Sequence, residues 1–457
     1  MDLSSLLSAT PEEQYDLFAG TVNPQLARVL RTIGFNRQYV RGEGAYLWDS
    51  EGHKYLDCLS GYGVFNMGRN HPRIKAALKE AIDRDLPGMI QMDAPLLAGR
   101  LARRLLQIVN VEAIDRVFFT NSGTEAVEGA IKFARCATGR PRVIHCRDAF
   151  HGLTNGALSC NGIPDFREGF EPLFPGFDAV PFGDLDALEA ELRRRDVAGF
   201  IVEPIQGKGV YMAPDDYFDQ AVRLCRKYGA LFIADEVQVG LGRTGKWFAC
   251  HHWQERPDII TTAKALSGGF VPVGAICYPD WVCKKVFSSM ERCVVHSNTF
   301  GRNPLAMVAG LAALETIEQE KLVENAARQG QALLEGLKAI GRRHEMVREV
   351  RGRGCIVGIE FDRPQSFMLR TGWDLIQKVN KGLFGQLITV PLLTRHRILS
   401  QVAGKNTIIK LLPTLTLTDE DVRWILDAMQ DVIAECHKFP GSAWDVGKEL
   451  AKRAVAA

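Results

Sequence analysis

Nowhere among the 457 residues do about 18 apolar residues run together, the length a helix needs to cross a bilayer. The start, Met1-Asp2-Leu3-Ser4-Ser5, lacks both the basic residues and the apolar stretch of a secretory signal, so the expected location is the cytoplasm. An excess of one charge is also missing. The 56 Lys and Arg balance 54 Asp and Glu to a formal +2, and no basic stripe gathers for a phosphate backbone, which argues against a nucleic-acid partner. The 11 cysteines are an odd number without a C-x-x-C pair, and they read as reduced thiols, not as a disulfide framework. The 10 histidines include no H-E-x-x-H, and the adjacent His251 and His252 fall on different faces of any regular element, so no metal site is expected. Internal repeats and low-complexity segments are absent as well.

What remains is a globular composition, 46% hydrophobic and 24% charged. The length allows about three domains, or two with one large. The first forty residues look like a helical arm. They precede a hairpin in which Ala45-Tyr46-Leu47-Trp48-Asp49 turns through Ser50-Glu51-Gly52 into Lys54-Tyr55-Leu56-Asp57. Short apolar runs then alternate with amphipathic stretches: Arg116 to Phe119, Arg142 to Ile144, Phe200 to Val202, Leu231 to Ala234 and Ile259 to Thr262. Strands apolar throughout, separated by helices, indicate an α/β fold whose mostly parallel sheet is covered on both faces. After about residue 310 come a long helix, Leu305 to Leu337 with a break, the strands Cys355 to Phe361 and Thr407 to Leu412, and a closing helix near Asp419 to Ala434. These make a smaller α+β domain. The division expected is 1–60 as arm and hairpin packing with the small domain, 61–320 as the large domain, and 321–457 as the small one.

Open parallel sheets bind ligands at the carboxyl ends of their strands, and three strand ends here are polar. The run from Arg116 to Thr120 leads into Asn121-Ser122-Gly123-Thr124-Glu125, where the free N–H groups of a helix start form an anion site and Gly123 lets a phosphate approach. The competing reading is an ordinary capping box of Ser122 with Glu125. The run from Leu231 to Ala234 delivers Asp235. A buried carboxylate needs a partner, either a protonated pyridine nitrogen, the next element's N–H groups, or magnesium. The run from Ile259 to Ala263 delivers Lys264; a desolvated lysine suits Schiff-base chemistry, although a single lysine is more often a snorkelling surface residue.

Two glycine-rich segments imitate a dinucleotide site. Gly240-Leu241-Gly242-Arg243-Thr244-Gly245 matches G-x-G-x-x-G, but Asp235 to Val239 separates it from its strand, and Lys246-Trp247-Phe248-Ala249-Cys250 behind it is a poor helix start. Gly352-Arg353-Gly354 leads into an alternating strand where a helix should begin.

Asp235 with Gln238, and Lys264 twenty-nine residues after Asp235, resemble the signature of class III, or ornithine-type, aminotransferases. The resemblance covers roughly residues 20 to 435. It includes Asn121 to Ala126, Ala149-Phe150-His151-Gly152, Val202 to Gly207, Gly242-Arg243-Thr244-Gly245, and Thr299-Phe300-Gly301 before Asn303-Pro304. The family implies a fold type I transferase with a seven-stranded large domain, pyridoxal 5'-phosphate as cofactor, and a homodimer, or a higher oligomer, with shared active sites. Carried over residue by residue, Lys264 would hold the cofactor as a Schiff base and shuttle the substrate proton, and Asp235 would keep the pyridine nitrogen protonated. Gln238 would bond the ring hydroxyl and Phe150 would stack on the ring. Ser122, Gly123 and Thr124 would cradle the phosphate, with Thr299 from the other subunit; His151 and Glu203 belong to the same cofactor set.

Where many relatives carry a glutamate this chain has Lys208, and where they carry a carboxylate-gripping arginine it has Lys410. Lysine lacks the bidentate fork of arginine, which puts the usual glutamate donor in doubt; the pair holds an anion by charge alone, or Lys410 points away, or the two are a drifted surface pair. Tyr62, Val64 and Phe65 resemble the family's pocket entrance and make it apolar, which favours an amine on a carbon skeleton. The expected reaction transfers an amino group between a primary amine or ω-amino compound and an aldehyde or 2-oxo acid. A bulky or lipid-linked substrate such as a hopanoid side chain fits the same features, and the alternatives are a phospho-lyase, racemase or aminomutase of the family.

Overall fold

The computed structural model describes residues 1–379, 382–404, 406–438, 440, 441, 444 and 447. Its strands, in chain order, are β1 (Tyr39–Glu43), β2 (Tyr46–Asp49), β3 (Lys54–Asp57), β4 (Arg116–Thr120), β5 (Arg142–Cys146), β6 (Phe177–Val180), β7 (Val197–Val202) and β8 (Leu231–Asp235). They continue with β9 (Ile259–Thr262), β10 (Gly274–Tyr278), β11 (Val347–Gly352), β12 (Val357–Phe361), β13 (Ile398–Leu399), β14 (Gln401–Ala403) and β15 (Ile408–Leu411).

The central sheet has seven strands in the order β4-β10-β9-β8-β7-β5-β6. From β9 to β6 they run parallel, whereas β10 is antiparallel to both of its neighbours. Every residue of β7 and β8 is buried because helices cover both faces. Side chains alternate between the faces. Ile201, Ile233 and Ile259 pack with Ala130, Ile131 and Ala134 of the helix Gly123–Thr138. Phe200, Phe232 and Ile260 share the opposite cluster with Ala221 and Cys225 of the helix Tyr217–Tyr228. Two of the seven strands escape the sequence reading: β6 is a short edge with Asp178 and Ala179 exposed, and β10 begins on a glycine.

An antiparallel sheet, β11-β12-β15-β14, carries the later part of the chain. The long helix expected near 305–337 is two helices, Pro304–Gln319 and Leu322–Gly341, broken where Lys321 takes a left-handed φ of 51°. The closing helix runs Asp419–Cys436. The N-terminal hairpin joins this end of the chain: β13 pairs in parallel with β3, and Cys58 N–H donates to Leu399 O at 2.9 Å. All 11 cysteines are free, with Cys136 and Cys293 exposed. Among the described residues no helix is long and apolar enough to cross a membrane.

The two glycine-rich segments set aside as dinucleotide sites pack on one another. A Cβ at Gly354 would stand 2.5 Å from Arg243 O, and one at Gly245 2.8 Å from Ala327 Cβ. Arg243 itself is fully buried. Its guanidinium donates to Cys355 O at 2.9 Å, to Pro413 O and to Asn66 Oδ1, so one side chain binds three distant chain segments. Arg243→Met strands these acceptors without water, and we expect a loss of stability on the order of 3 kcal/mol. A denaturant midpoint equal to wild type would contradict that assignment.

Candidate active site

Four neighbouring parallel strands end in the candidate residues. Lys264 follows β9, Asp235 ends β8, Glu203 follows β7, and the segment with Phe150 and His151 follows β5, the order in which those strands lie in the sheet. Adjacent strands are about 4.8 Å apart, so residues far apart in sequence converge on one edge. Lys264 opens a short 3-10 turn, Lys264–Ser267, with a φ of 46°. A non-glycine residue in the left-handed region is strained, and such strain persists only where the surroundings over-determine it.

Asp235 is buried and accepts three hydrogen bonds: from His151 Nδ1 at 2.7 Å, Val237 N at 3.1 Å and Thr261 Oγ1 at 3.2 Å. Three donors fix the position of both its oxygens. His151 is placed in turn by Asn161, whose Oδ1 accepts the His151 N–H at 2.7 Å, and its Nε2 has no partner among the described residues. Glu203 takes the N–H groups of Phe150 at 2.9 Å and Gly207 at 2.8 Å, fixing two loops beside the site. Burial pushes its carboxyl up, against the pull of His151 and those two N–H groups. Burial likewise pushes the Lys264 ammonium below the ordinary lysine value; Lys208 acts in the same direction, while Asp235 and Glu203 oppose it. A lysine biased toward its neutral form is the nucleophile that Schiff-base chemistry needs.

Beside β8, the turn after β4 comes close enough that a Cβ on Gly123 would lie 2.7 Å from Val237 Cγ1, so only glycine fits. The capping box is half formed. Ser122 Oγ accepts from Glu125 N at 3.3 Å, but the Glu125 carboxylate bonds Asn121 N at 2.8 Å instead of the Ser122 N–H. The N–H groups of Gly123 and Thr124 have no acceptor among the described residues, which leaves an anion site at the start of a 16-residue helix. The Thr124 hydroxyl is already paired with Thr154 Oγ1 at 2.8 Å.

The segment carrying Tyr62, Val64 and Phe65 lies between Gln238 and the Lys264 turn. Gln238 Nε2 donates to Tyr62 O at 3.0 Å, and a Cβ at Gly269 would run into Phe65 and reach 3.0 Å from Val64 Cγ1. Tyr62 is exposed and, like Gly61, left-handed. The two lysines are in the same place. Lys410 does not point away from the site and is not a surface pair with Lys208: it is 2% exposed, with Nζ 2.6 Å from Gly207 O and 2.7 Å from Gln238 Oε1. Burial, then Lys264, lowers its ammonium to about 7. Lys208 is part-buried, with Nζ 4.9 Å from the Phe150 ring centre and 4.6 Å from that of Phe166.

Thr299 stands apart from these contacts. It is exposed, and its carbonyl accepts from Gln91, which lines a surface cavity of about 830 Å³ with Phe118, His296 and Asn298. That cavity shares no residue with the Lys264 cluster. His251 and His252 bond different carbonyls, Val109 O at 2.8 Å and Thr244 O at 3.2 Å. Sequence reasoning passed over Phe166, Asn161 and Thr261. Only Thr261 carried a signal, as a polar residue within the last two positions of a buried strand.

Comparison with known proteins agrees with this geometry. Residues 31–433 match the family model described as aminotransferase class-III. The putrescine aminotransferase of Pectobacterium atrosepticum is 35% identical over 93% of this chain and 90% of its own length. Aminotransferase PigE of a Serratia species is 33% identical over 94% of this chain, but the chain spans only about half of it, 54%. The crystal structure of ornithine aminotransferase from Toxoplasma gondii superposes with a TM-score of 0.81 at 29% identity, covering 94% of this chain and 96% of that one. The chain belongs to the class III aminotransferases, fold type I enzymes whose cofactor is pyridoxal 5'-phosphate.

Proposed function

We propose that the protein moves an amino group between a primary amine or ω-amino compound and an aldehyde or 2-oxo acid. The observation that carries this reading is the meeting of Lys264, Asp235, Glu203 and Phe150 at four adjacent strand ends. The donor set fits pyridoxal phosphate. Two unpaired N–H groups at a helix start suit its phosphate, and a three-fold anchored carboxylate suits a cationic ring nitrogen. When bound, that cofactor supplies an electron sink for the carbon bearing the amino group.

In this reading Lys264 would hold the cofactor and would move a proton on and off the substrate carbon, for which its lowered basicity suits it. Asp235, oriented by His151, would keep the ring nitrogen protonated. Phe150 would stack on the ring and Gln238 would bond its hydroxyl, while Glu203 holds the Phe150 and Gly207 backbones in register. Ser122, Gly123 and Thr124 bind the phosphate mainly through N–H groups. Tyr62, Val64 and Phe65 form an apolar entrance for the carbon chain. An amine donor is favoured by that entrance and by the putrescine aminotransferase relative. The named relatives lend no support to the lipid-linked substrate, nor to the lyase, racemase or aminomutase alternative.

Apolar side chains exposed on the segments around the surface cavity, among them Ile90, Met92, Leu96, Val294 and Phe300, suit burial against a second copy, with the partner's Thr299 completing the phosphate site. The division into 1–60, 61–320 and 321–457 is kept as part of this proposal; the β3–β13 pairing supports grouping the hairpin with the later chain. The test of function is a coupled assay with putrescine, ornithine and other ω-amino compounds against pyruvate and 2-oxoglutarate. We expect amino transfer from at least one diamine; no transfer from any amine would refute the reading.

A further inference from the structure

The two lysines that replace the family's acid and arginine differ in what they touch. Lys410 lies on β15, paired across to Gly358 on one side and Gln401 on the other, and its buried ammonium spans Gly207 O and Gln238 Oε1. A carboxamide has one acceptor end and one donor end, and its orientation is set by its partners. Here a Lys410 Nζ donor is aimed at Oε1 and the Tyr62 carbonyl takes one Nε2 hydrogen. Flipping the amide would set NH₂ against that donor and a carbonyl oxygen against another oxygen. One orientation is thus enforced, with a single N–H still free. Lys208 follows Gly207 directly, and among the described residues its Nζ has no hydrogen bond or ion pair. It lies over the faces of Phe150 and Phe166, which leave its three N–H donors unspent.

We propose, on the basis of the function above, that Lys410 positions the Gln238 carboxamide so that an N–H is offered to the ring hydroxyl of the cofactor, while Lys208 is the cation that receives the acceptor's carboxylate. The lysine pair is therefore divided between cofactor and substrate. A point charge resting on two aromatic faces then serves in place of a bidentate fork.

The test compares holoenzymes of Lys410→Met, Gln238→Ala, their double variant, Gln238→Glu and Lys208→Met. Cofactor dissociation constants are measured by fluorescence, and donor and acceptor KM values separately. Lys410→Met and Gln238→Ala should each weaken cofactor binding about tenfold, and the double variant should be no weaker than Gln238→Ala by more than about twofold. Gln238→Glu keeps the Lys410 contact but offers acceptors only, so it should weaken the cofactor as well. Lys208→Met should raise the acceptor KM about tenfold relative to the donor KM while cofactor affinity stays within about twofold. Additive losses in the double variant, wild-type affinity in Gln238→Glu, or an acceptor KM that responds to Lys410 and not to Lys208 would overturn the inference. A wild-type enzyme that transfers no amino group, with the affinity pattern intact, would instead sink the functional reading and with it the Lys208 half.

Discussion

Replacing Lys264 by alanine should lower amino transfer by at least about 10³-fold, because one side chain is asked to serve as nucleophile and as proton carrier. The fold should survive. Lys264 opens the turn after β9 with a left-handed φ that alanine tolerates no worse, and its ammonium is disfavoured by burial, so truncation removes a cost as well as a group. The variant should still bind pyridoxal phosphate through the helix start, Gln238 and Asp235, but borohydride should no longer fix the cofactor to the chain. Mass spectrometry of wild type and variant after reduction checks both statements. Cofactor fixed to the variant would place the Schiff base on another lysine, and Lys208 and Lys410 are the neighbours to search.

Asp235→Asn is expected to have the second largest effect. The substitution keeps the shape of the side chain but removes the negative charge that favours a protonated ring nitrogen, so kcat should fall about 10²- to 10³-fold with the cofactor still attached. It also disturbs His151. The Nδ1 now 2.7 Å from Asp235 Oδ2 would face either an amide NH₂ or a weaker acceptor, and the His151 ring has no other side-chain partner among the described residues. A kcat within tenfold of wild type would mean that the ring nitrogen does not depend on this carboxylate.

The parts of the site legible in the sequence were those written by strand ends. An apolar run stopping on Asp235 or Lys264 announces a polar group held at a sheet edge, because burying such a residue without a purpose is costly. The five strands β4, β5, β7, β8 and β9 were legible for the same reason, and β7 and β8 are apolar at nearly every position. Edge strand β6 lacks that pattern, with polar and exposed positions in its middle. Contacts that depend on the orientation of a side chain were not legible. That Glu203 would spend both oxygens on backbone N–H groups, or that Lys410 would reach the Gln238 amide, depends on how β15 lies against the loops after β7 and β8. Composition also misdirects at Gly240 to Gly245, where glycines shaped for close packing around a buried arginine imitate a nucleotide loop.

The most direct test of amino transfer at Lys264 is a single half-reaction: the purified protein loaded with pyridoxal phosphate, mixed with a diamine in the absence of any oxo acid, and followed by cofactor absorbance. Stoichiometric conversion of the aldehyde form to the amine form is expected, reversed by adding an oxo acid and absent in Lys264→Ala. Full loading with no conversion by any amine, or conversion that persists in Lys264→Ala, would contradict it.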